Sequence, residues 1–173
     1  INEEVSYLHK VEDFRFLPGV VEGMKRLYDS GFSLVVLTNQ AGIGRGYYTE
    51  KDAENVHRFM REALAKEGVT LSGIYYCPHH PEAKLAEFKQ DCDCRKPKSG
   101  MLLQAIEELN IDPTKSIMVG DKVEDIKAGI SAKVKINVLV RTGKLVTEEG
   151  ERIADYVLDS IVDLPRILKL LKK

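Results

Sequence analysis

The residues best suited to bind a metal are concentrated in one short stretch of the chain. All three cysteines, Cys77, Cys92 and Cys94, lie there. Cys77 with His79 forms a Cys-x-His pair, and Cys92 with Cys94 forms a Cys-x-Cys pair. Cysteines that only fill a core would be scattered among the apolar segments. Two close pairs joined by a loop can instead supply the Cys3His ligands of a tetrahedral zinc site.

Two alternatives at this stretch stay open from the residues alone. His80 could replace His79, but residues two apart in an extended segment point the same way, which favours His79 beside Cys77. Cys92 and Cys94 could also be free surface thiols or an incidental disulfide. With four protein ligands the zinc would have no open position, so we expect it to be structural.

Polar side chains follow two apolar segments that are typical of buried strands. Thr38 and Asn39 come after the first, and Asp121 and Lys122 after the second, with Asp125 one helical turn further on. Ligands of parallel sheets bind at the carboxyl ends of the strands, and Mg2+ prefers a few carboxylates with several waters. The alternatives are a turn residue at position 38 and a helix N-cap at position 121.

A basic pair, Arg95 and Lys96, directly follows the cysteines and precedes Pro97. The planar fork of arginine and the point charge of lysine are both suited to a phosphate, although most such pairs are solvated surface charges. The glycine-rich segment 41–48 does not fit the dinucleotide-binding pattern, and Arg45 within it is interpreted as a loop charge.

The elements that must position these residues alternate between helices and short apolar strands. This alternation predicts an α/β fold with a doubly wound, mainly parallel, Rossmann-like sheet. Pro18 is placed at the first position of a helix that Gly31 ends, and segment 41–48 is predicted to be a loop. The other predicted helices span 50–67, 99–109, 123–132 and 161–171, and the predicted strands span 33–37, 71–76, 116–119, 136–140 and 156–158.

The whole chain bounds the class of protein. A length of 173 residues suits one domain, 1–173, with a zinc-binding loop at 77–97. A net charge of -1 gives no reason to expect nucleic acid or an acidic membrane as a partner. The sequence contains no apolar run that resembles a signal peptide or membrane span, and clustered thiols suit a reducing compartment, so we expect a cytoplasmic monomer.

Taken together, the motifs resemble the haloacid dehalogenase (HAD) superfamily of phosphohydrolases. Thr38, the lysine of Arg95-Lys96-Pro97 and Gly120-Asp121-x3-Asp125 are similar to its second, third and fourth motifs, in order. The segments TNQAGIGRG, GIYYCPHHP, CDCRKPKSGML, MVGDKVEDI and VLVRTGK resemble, more closely, a zinc-loop branch that includes phosphatases of heptose 1,7-bisphosphate and of histidinol phosphate. The resemblance implies a HAD-like fold without a large cap domain and a small sugar phosphate as substrate.

By this resemblance each site residue receives a role. The catalytic residues would be Thr38, Lys96 and Asp121, with Asp121 binding the catalytic Mg2+ and Asp125 supporting the site. Substrate contacts would come from Thr38, Asn39, Arg95, Lys96 and Lys122, and structural Zn2+ would be bound by Cys77, His79, Cys92 and Cys94.

The first motif of the superfamily, Asp-x-Asp-Gly-Thr, does not occur in the 173 residues. It supplies the nucleophilic aspartate and the acid-base aspartate, and the resemblance places it, with the first strand, immediately before Ile1. We therefore expect little or no turnover by this chain alone. A partial record of an active enzyme, a deliberate fragment and a noncatalytic zinc module that binds phosphate are the three interpretations.

Overall fold

The computed structural model describes residues 1–143 and 145–168. Short parallel strands alternate with helices along this chain, as the sequence predicts. The strands are β1 (Leu34–Asn39), β2 (Leu71–Cys77), β3 (Ile117–Gly120), β4 (Ile136–Val140) and β5 (Tyr156–Leu158). The α-helices are α1 (Val20–Asp29), α2 (Ala41–Gly44), α3 (Glu50–Lys66), α4 (Gly100–Glu108), α5 (Val123–Ser131) and α6 (Glu148–Ile153). Short 3-10 helices span Val11–Asp13, Ala86–Phe88, Pro113–Lys115 and Ile161–Arg166.

Within the described residues the strands form two open sheets, β1-β2 and β3-β4-β5. All three pairings are parallel, which confirms the predicted α/β class. In the first sheet Thr38 pairs with Tyr76 and Asn39 with Cys77. The carboxyl end of β1 therefore lies beside the beginning of the cysteine-rich loop.

Apolar side chains pack on both sheets and hold the helices against them. Val36 and Leu71 pack with Met24 of α1 and Met60 of α3 in one cluster. Val138 and Val140 pack with Leu27 of α1 and with Leu164 in another. The sheets therefore share α1 as a common covering helix.

Helix α3 begins and ends where the sequence predicts. The Thr49 hydroxyl accepts a hydrogen bond from the Asp52 N–H, and the Asp52 carboxylate accepts one from the Thr49 N–H. These two bonds satisfy backbone donors that a helix start leaves unpaired. Gly68 follows with a φ of 75°, a conformation that glycine adopts at little cost.

Several predicted boundaries are wrong, each for a local reason. Pro18 lies before α1, because Gly19, with a φ of 75°, takes the N-cap position. Strand β1 continues through Asn39, since β2 supplies partners for both polar residues at its end. Part of the predicted loop 41–48 is a single turn of helix, α2.

Two differences concern the C-terminal part. Helix α6 is absent from the sequence prediction; Thr147 caps it by accepting a hydrogen bond from the Gly150 N–H. The predicted helix 161–171 begins as a 3-10 helix that contains Pro165, which has no N–H for an α-helical bond. Residues 169–171 of that prediction lie outside the described residues.

No helix in the described part of the chain is long and apolar enough to cross a membrane.

Candidate active site and metal centre

The carboxyl end of β1 presents the Thr38 hydroxyl in a defined orientation. The Gln40 amide donates to the Thr38 oxygen at 3.4 Å, and the Tyr48 hydroxyl donates to the Gln40 carbonyl oxygen. Burial, and then the nearby Tyr7, raises the pKa of Tyr48 to about 12, so its hydroxyl remains a donor at neutral pH. The Thr38 hydroxyl oxygen is the acceptor in this series of hydrogen bonds, so its own O–H can donate to an anion.

Lys96 is the central charge of this sheet edge. Its ammonium donates to the Leu37 carbonyl oxygen at 2.7 Å and lies 2.6 Å from the Asp125 carboxylate. The side chains of Lys96 and Asp125 are only 10% and 8% exposed. The other oxygen of Asp125 accepts from the Lys122 N–H at 3.1 Å at the start of α5. The ion pair is therefore hydrogen-bonded on both sides, as a buried pair must be to persist.

Asn39 connects β1 to the segment that carries Lys96. Its amide nitrogen donates to the Lys96 carbonyl oxygen at 3.0 Å, and its amide oxygen accepts from the Lys96 N–H at 3.1 Å. Both ends of the amide are thus engaged by one backbone unit. Contact of Asn39 with the substrate, which the resemblance implies, stays a prediction.

Asp121 is the first residue after β3, and a second loop approaches its carboxylate closely. A Cβ atom at Gly143 would lie 2.4 Å from the Asp121 Oδ2 atom, and Gly143 has a φ of 118°. Both facts require glycine at position 143.

The cysteine-rich loop brings together the four predicted zinc ligands. One ligand atom from each of Cys77, His79, Cys92 and Cys94 lies within 4.8 Å of the others. The Cys77 and Cys92 sulfurs are 3.4 Å apart, the Cys92 and Cys94 sulfurs 3.2 Å, and His79 Nδ1 is 3.4 Å from the Cys94 sulfur. Thiolates bound to one zinc at about 2.3 Å in a tetrahedron are about 3.8 Å apart. The observed spacing fits that metal with a small expansion.

The chemistry of the cluster also fits a cation. Burial raises the pKa of the Cys77 thiol, and burial together with the neighbouring Cys77 and Cys92 raises that of Cys94. Three thiolates at this spacing repel one another unless a positive ion lies among them. None of the three cysteines is in a disulfide.

Next to the cluster is an open cavity of about 550 Å³ that leads to Lys96. Arg95 lines it, and the Arg95 guanidinium donates to the His79 carbonyl oxygen at 3.4 Å. The walls comprise His80, Pro81, Glu82, Asp91, Arg95, Lys96, Pro97 and Lys98.

Most of the predicted site residues fall into two groups in the structure, which are the four zinc ligands and a group around Lys96. Lys96 and Asp125 are in direct contact; Asn39 binds the Lys96 backbone, and Thr38 ends the strand whose Leu37 carbonyl binds the Lys96 ammonium. Lys122 joins this group through its backbone N–H, while the residue itself is exposed. Sequence reasoning missed Gln40 and Tyr48, whose contact spans eight residues, and it interpreted Arg45 as a loop charge although its guanidinium lies beside His80.

Comparison with known proteins identifies the class to which the chain belongs. The model of the HAD-hydrolase-like family matches residues 93–164, which contain Lys96, Asp121 and Asp125. Fold and site together define a hydrolase of the HAD class.

Full-length relatives narrow the class. The chain is 64% identical to a D-glycero-beta-D-manno-heptose-1,7-bisphosphate 7-phosphatase from Haemophilus influenzae, over 100% of this chain and 94% of the relative. It is 50% identical to the enzyme of that name from Escherichia coli K12, over 100% and 91% of the two chains. The chain belongs to this family of phosphatases.

A solved structure supports the fold. A D,D-heptose 1,7-bisphosphate phosphatase from B. bronchiseptica, in complex with magnesium and phosphate, superimposes with a TM-score of 0.79. The match covers 99% of this chain and 92% of that one at 24% identity.

Proposed function

We propose that the intact protein hydrolyses D-glycero-D-manno-heptose 1,7-bisphosphate and releases its 7-phosphate. The observation that carries this proposal is the buried Lys96–Asp125 pair at the end of β1, in a chain 64% identical to an enzyme of that name. A fixed ammonium at a strand end is suited to the charge on a transferred phosphoryl group, because such transfer depends mainly on positioning and electrostatic stabilisation.

Each of the site residues has a separate role at the phosphate. The Thr38 hydroxyl donates to a nonbridging oxygen, and Lys96 balances negative charge on that phosphate. Asp125 keeps the ammonium in place through the 2.6 Å contact, and Asn39 fixes the backbone of the same lysine. Arg95 binds the substrate from the cavity wall.

Magnesium fits the oxygen donors at this edge. Asp121 would hold the ion, because Mg2+ is commonly bound by one or two carboxylates together with substrate phosphate and water. The B. bronchiseptica relative, which was crystallised with magnesium and phosphate, supports this assignment. When bound, the ion supplies positive charge next to the phosphate.

Zinc fits the other cluster, and Cys77, His79, Cys92 and Cys94 would hold it. Four protein ligands leave no position for water, so its contribution is structural. The loop it stabilises carries Arg95 and Lys96. Unpaired thiols of this kind suit the reducing cytoplasm, where we place the protein as a monomer.

The nucleophilic aspartate that the resemblance implies is not among the 173 residues, which contain no Asp-x-Asp-Gly-Thr sequence. The carboxylate would accept the phosphoryl group and water would release it.

The test is phosphate release by the protein expressed from its whole reading frame. We expect Mg2+-dependent hydrolysis of the heptose 1,7-bisphosphate, with a kcat/KM at least about tenfold above that for histidinol phosphate, since shape and charge differ between the two substrates. Preference for histidinol phosphate would instead identify the protein as a histidinol-phosphate phosphatase. The absence of hydrolysis of any sugar phosphate would refute the proposal and favour a noncatalytic phosphate-binding module.

A further inference from the structure

Arg45 and His80, which lines the cavity, face each other with a hydrogen-bond donor on each side. The Glu82 N–H donates to His80 Nδ1 at 3.0 Å, so that nitrogen carries the lone pair. In a neutral imidazole the proton then lies on Nε2. His80 Nε2 is 3.4 Å from Nη2 of Arg45, whose guanidinium has donors only. A negatively charged oxygen would satisfy both groups.

Arg45 has a further unused donor. Its Nε atom is buried and makes no hydrogen bond in the described part of the chain. Leaving a charged donor buried and unpaired is costly, and such an atom indicates a missing partner.

The position of Arg45 beside His80 is fixed by the backbone. The N–H groups of Lys84 and Leu85 both donate to the Gly44 carbonyl oxygen, at 2.9 and 3.0 Å. A Cβ atom at Gly44 would lie 2.9 Å from the Pro78 carbonyl oxygen, so only glycine allows α2 to approach the loop this closely. Arg45 follows directly, and its placement against the loop is therefore a built feature of the fold.

The surrounding charges favour an anion. Arg95 and Lys96 line the same cavity as His80. Two acidic residues lie on its wall. Asp91 is paired with Lys98 at 2.8 Å, and Glu82 is exposed to solvent. The cavity thus runs from the phosphate-binding lysine to a second group of donors.

We propose that Arg45 and His80, together with Arg95, form a second anion subsite, which binds the phosphate that the enzyme does not cleave. The inference rests on the proposed function and deepens it, because it makes these residues the basis of selection for a bisphosphate over a monophosphate. Arg45 binds the remote phosphate through its fork, and His80 donates from Nε2. A site built for such bonds discriminates against a substrate that lacks the group, since its buried donors then stay unpaired.

The experiment compares Arg45→Met with Arg58→Met in the active enzyme, using heptose 1,7-bisphosphate and heptose 7-phosphate as substrates. Arg58 is a matched control, because its guanidinium binds Asn55 on the surface of α3. We expect Arg45→Met to lower kcat/KM for the bisphosphate about 10- to 100-fold, mainly through KM, as for the loss of a charged hydrogen bond. The monophosphate should lose no more than about threefold, and Arg58→Met should match the wild type. His80→Asn should give a smaller loss of the same kind.

The outcomes separate this inference from the proposed function. Equal kcat/KM for the two substrates in the wild type would overturn the inference and leave the phosphatase activity standing. An equal loss on both substrates in Arg45→Met would also overturn it and assign Arg45 a general structural role. A wild type that hydrolyses neither substrate would overturn the proposed function itself.

Discussion

At the sheet edge, Lys96 and Asp125 carry opposite charges, and their hydrogen bonds to Leu37 and Lys122 complete the network within the protein. In the cysteine-rich loop, the Cys92 sulfur lies 3.4 Å from that of Cys77 and 3.2 Å from that of Cys94, and all three carry charge of the same sign once ionised. The first region holds its geometry by its own contacts, whereas the second needs a cation. Lys96, to which we assign the phosphate, depends on both kinds of support, because it follows the metal loop in sequence and bonds to β1.

The largest effect should come from Lys96→Met. It removes the ammonium from the phosphate and leaves the buried Asp125 carboxylate without its charged partner, which costs about 3–5 kcal/mol of unfolding free energy. Loss of such a charge should also lower kcat by about 100- to 1,000-fold. Denaturant unfolding and steady-state kinetics measure the two effects.

The neighbouring lysine provides the control for that experiment. Lys98 makes exposed contacts with Asp91 and Asp93, so Lys98→Met should leave stability close to that of the wild type. The double variant Lys96→Met with Asp125→Leu should recover stability but not activity. If activity returned as well, Lys96 would be a structural residue only.

Cys92→Ser tests the other region. We expect zinc content to fall below one ion per chain and the thermal midpoint to drop by about 5 °C or more, since the binding energy of a structural metal is folding energy. The kcat/KM should fall with it, because the loop carries Arg95 and Lys96. Asp93→Ser, in the exposed position between two ligands, is the control. Full zinc occupancy in Cys92→Ser would contradict the ligand set.

Asn39→Ala cuts the link between the two regions. Removing both hydrogen bonds leaves the Lys96 N–H without its partner and should cost about 1–3 kcal/mol, with a fall in kcat of roughly tenfold. Zinc content should stay at the wild-type level. Asn55→Ala, on the surface of α3, should leave all three quantities unchanged. A rise in KM with unchanged kcat would instead indicate that Asn39 contacts the substrate directly.

The smallest effect should come from Tyr48→Phe, which removes the donor that holds Gln40. At neutral pH we expect a cost of about 1 kcal/mol. The pKa of Tyr48 is about 12 in the folded protein against 10.0 in the reference state, so between these values the folded state keeps a proton that the unfolded state loses. Stability should therefore fall as pH rises from 10 to 12, and Tyr48→Phe should reduce that slope by up to about 1.4 kcal/mol per pH unit.

How far the sequence predicted each region follows from the separation of its residues. The metal-binding pairs are adjacent in sequence, and Thr38 and Asp121 follow recognisable strands, so short-range patterns were sufficient to select them. Asn39 and Lys96 are 57 residues apart, and they meet where the loop after β2 returns to the end of β1. No local pattern encodes that distance.

The missed elements are too short for periodicity. Helix α2 is a single turn rich in glycine, which has low helix propensity, so the position of Arg45 could not be inferred. The end of the chain shows the opposite error. The apolar pattern after Ile161 favours an α-helix, yet Pro165 lies within the 3-10 helix that the structure contains.

The β1–β2 ladder ends at the pair of Asn39 with Cys77, and the two parts of the loop that follows differ in how their length is constrained. Cys94, Arg95 and Lys96 are consecutive, so an insertion among them would displace the lysine from the Asn39 amide. The residues between the two metal-binding pairs are tied to the rest of the fold at Lys84 and Leu85, which bond to Gly44, and those on either side of this contact form much of the cavity wall. A descendant of this protein could therefore acquire a new substrate there while its chemistry stayed the same.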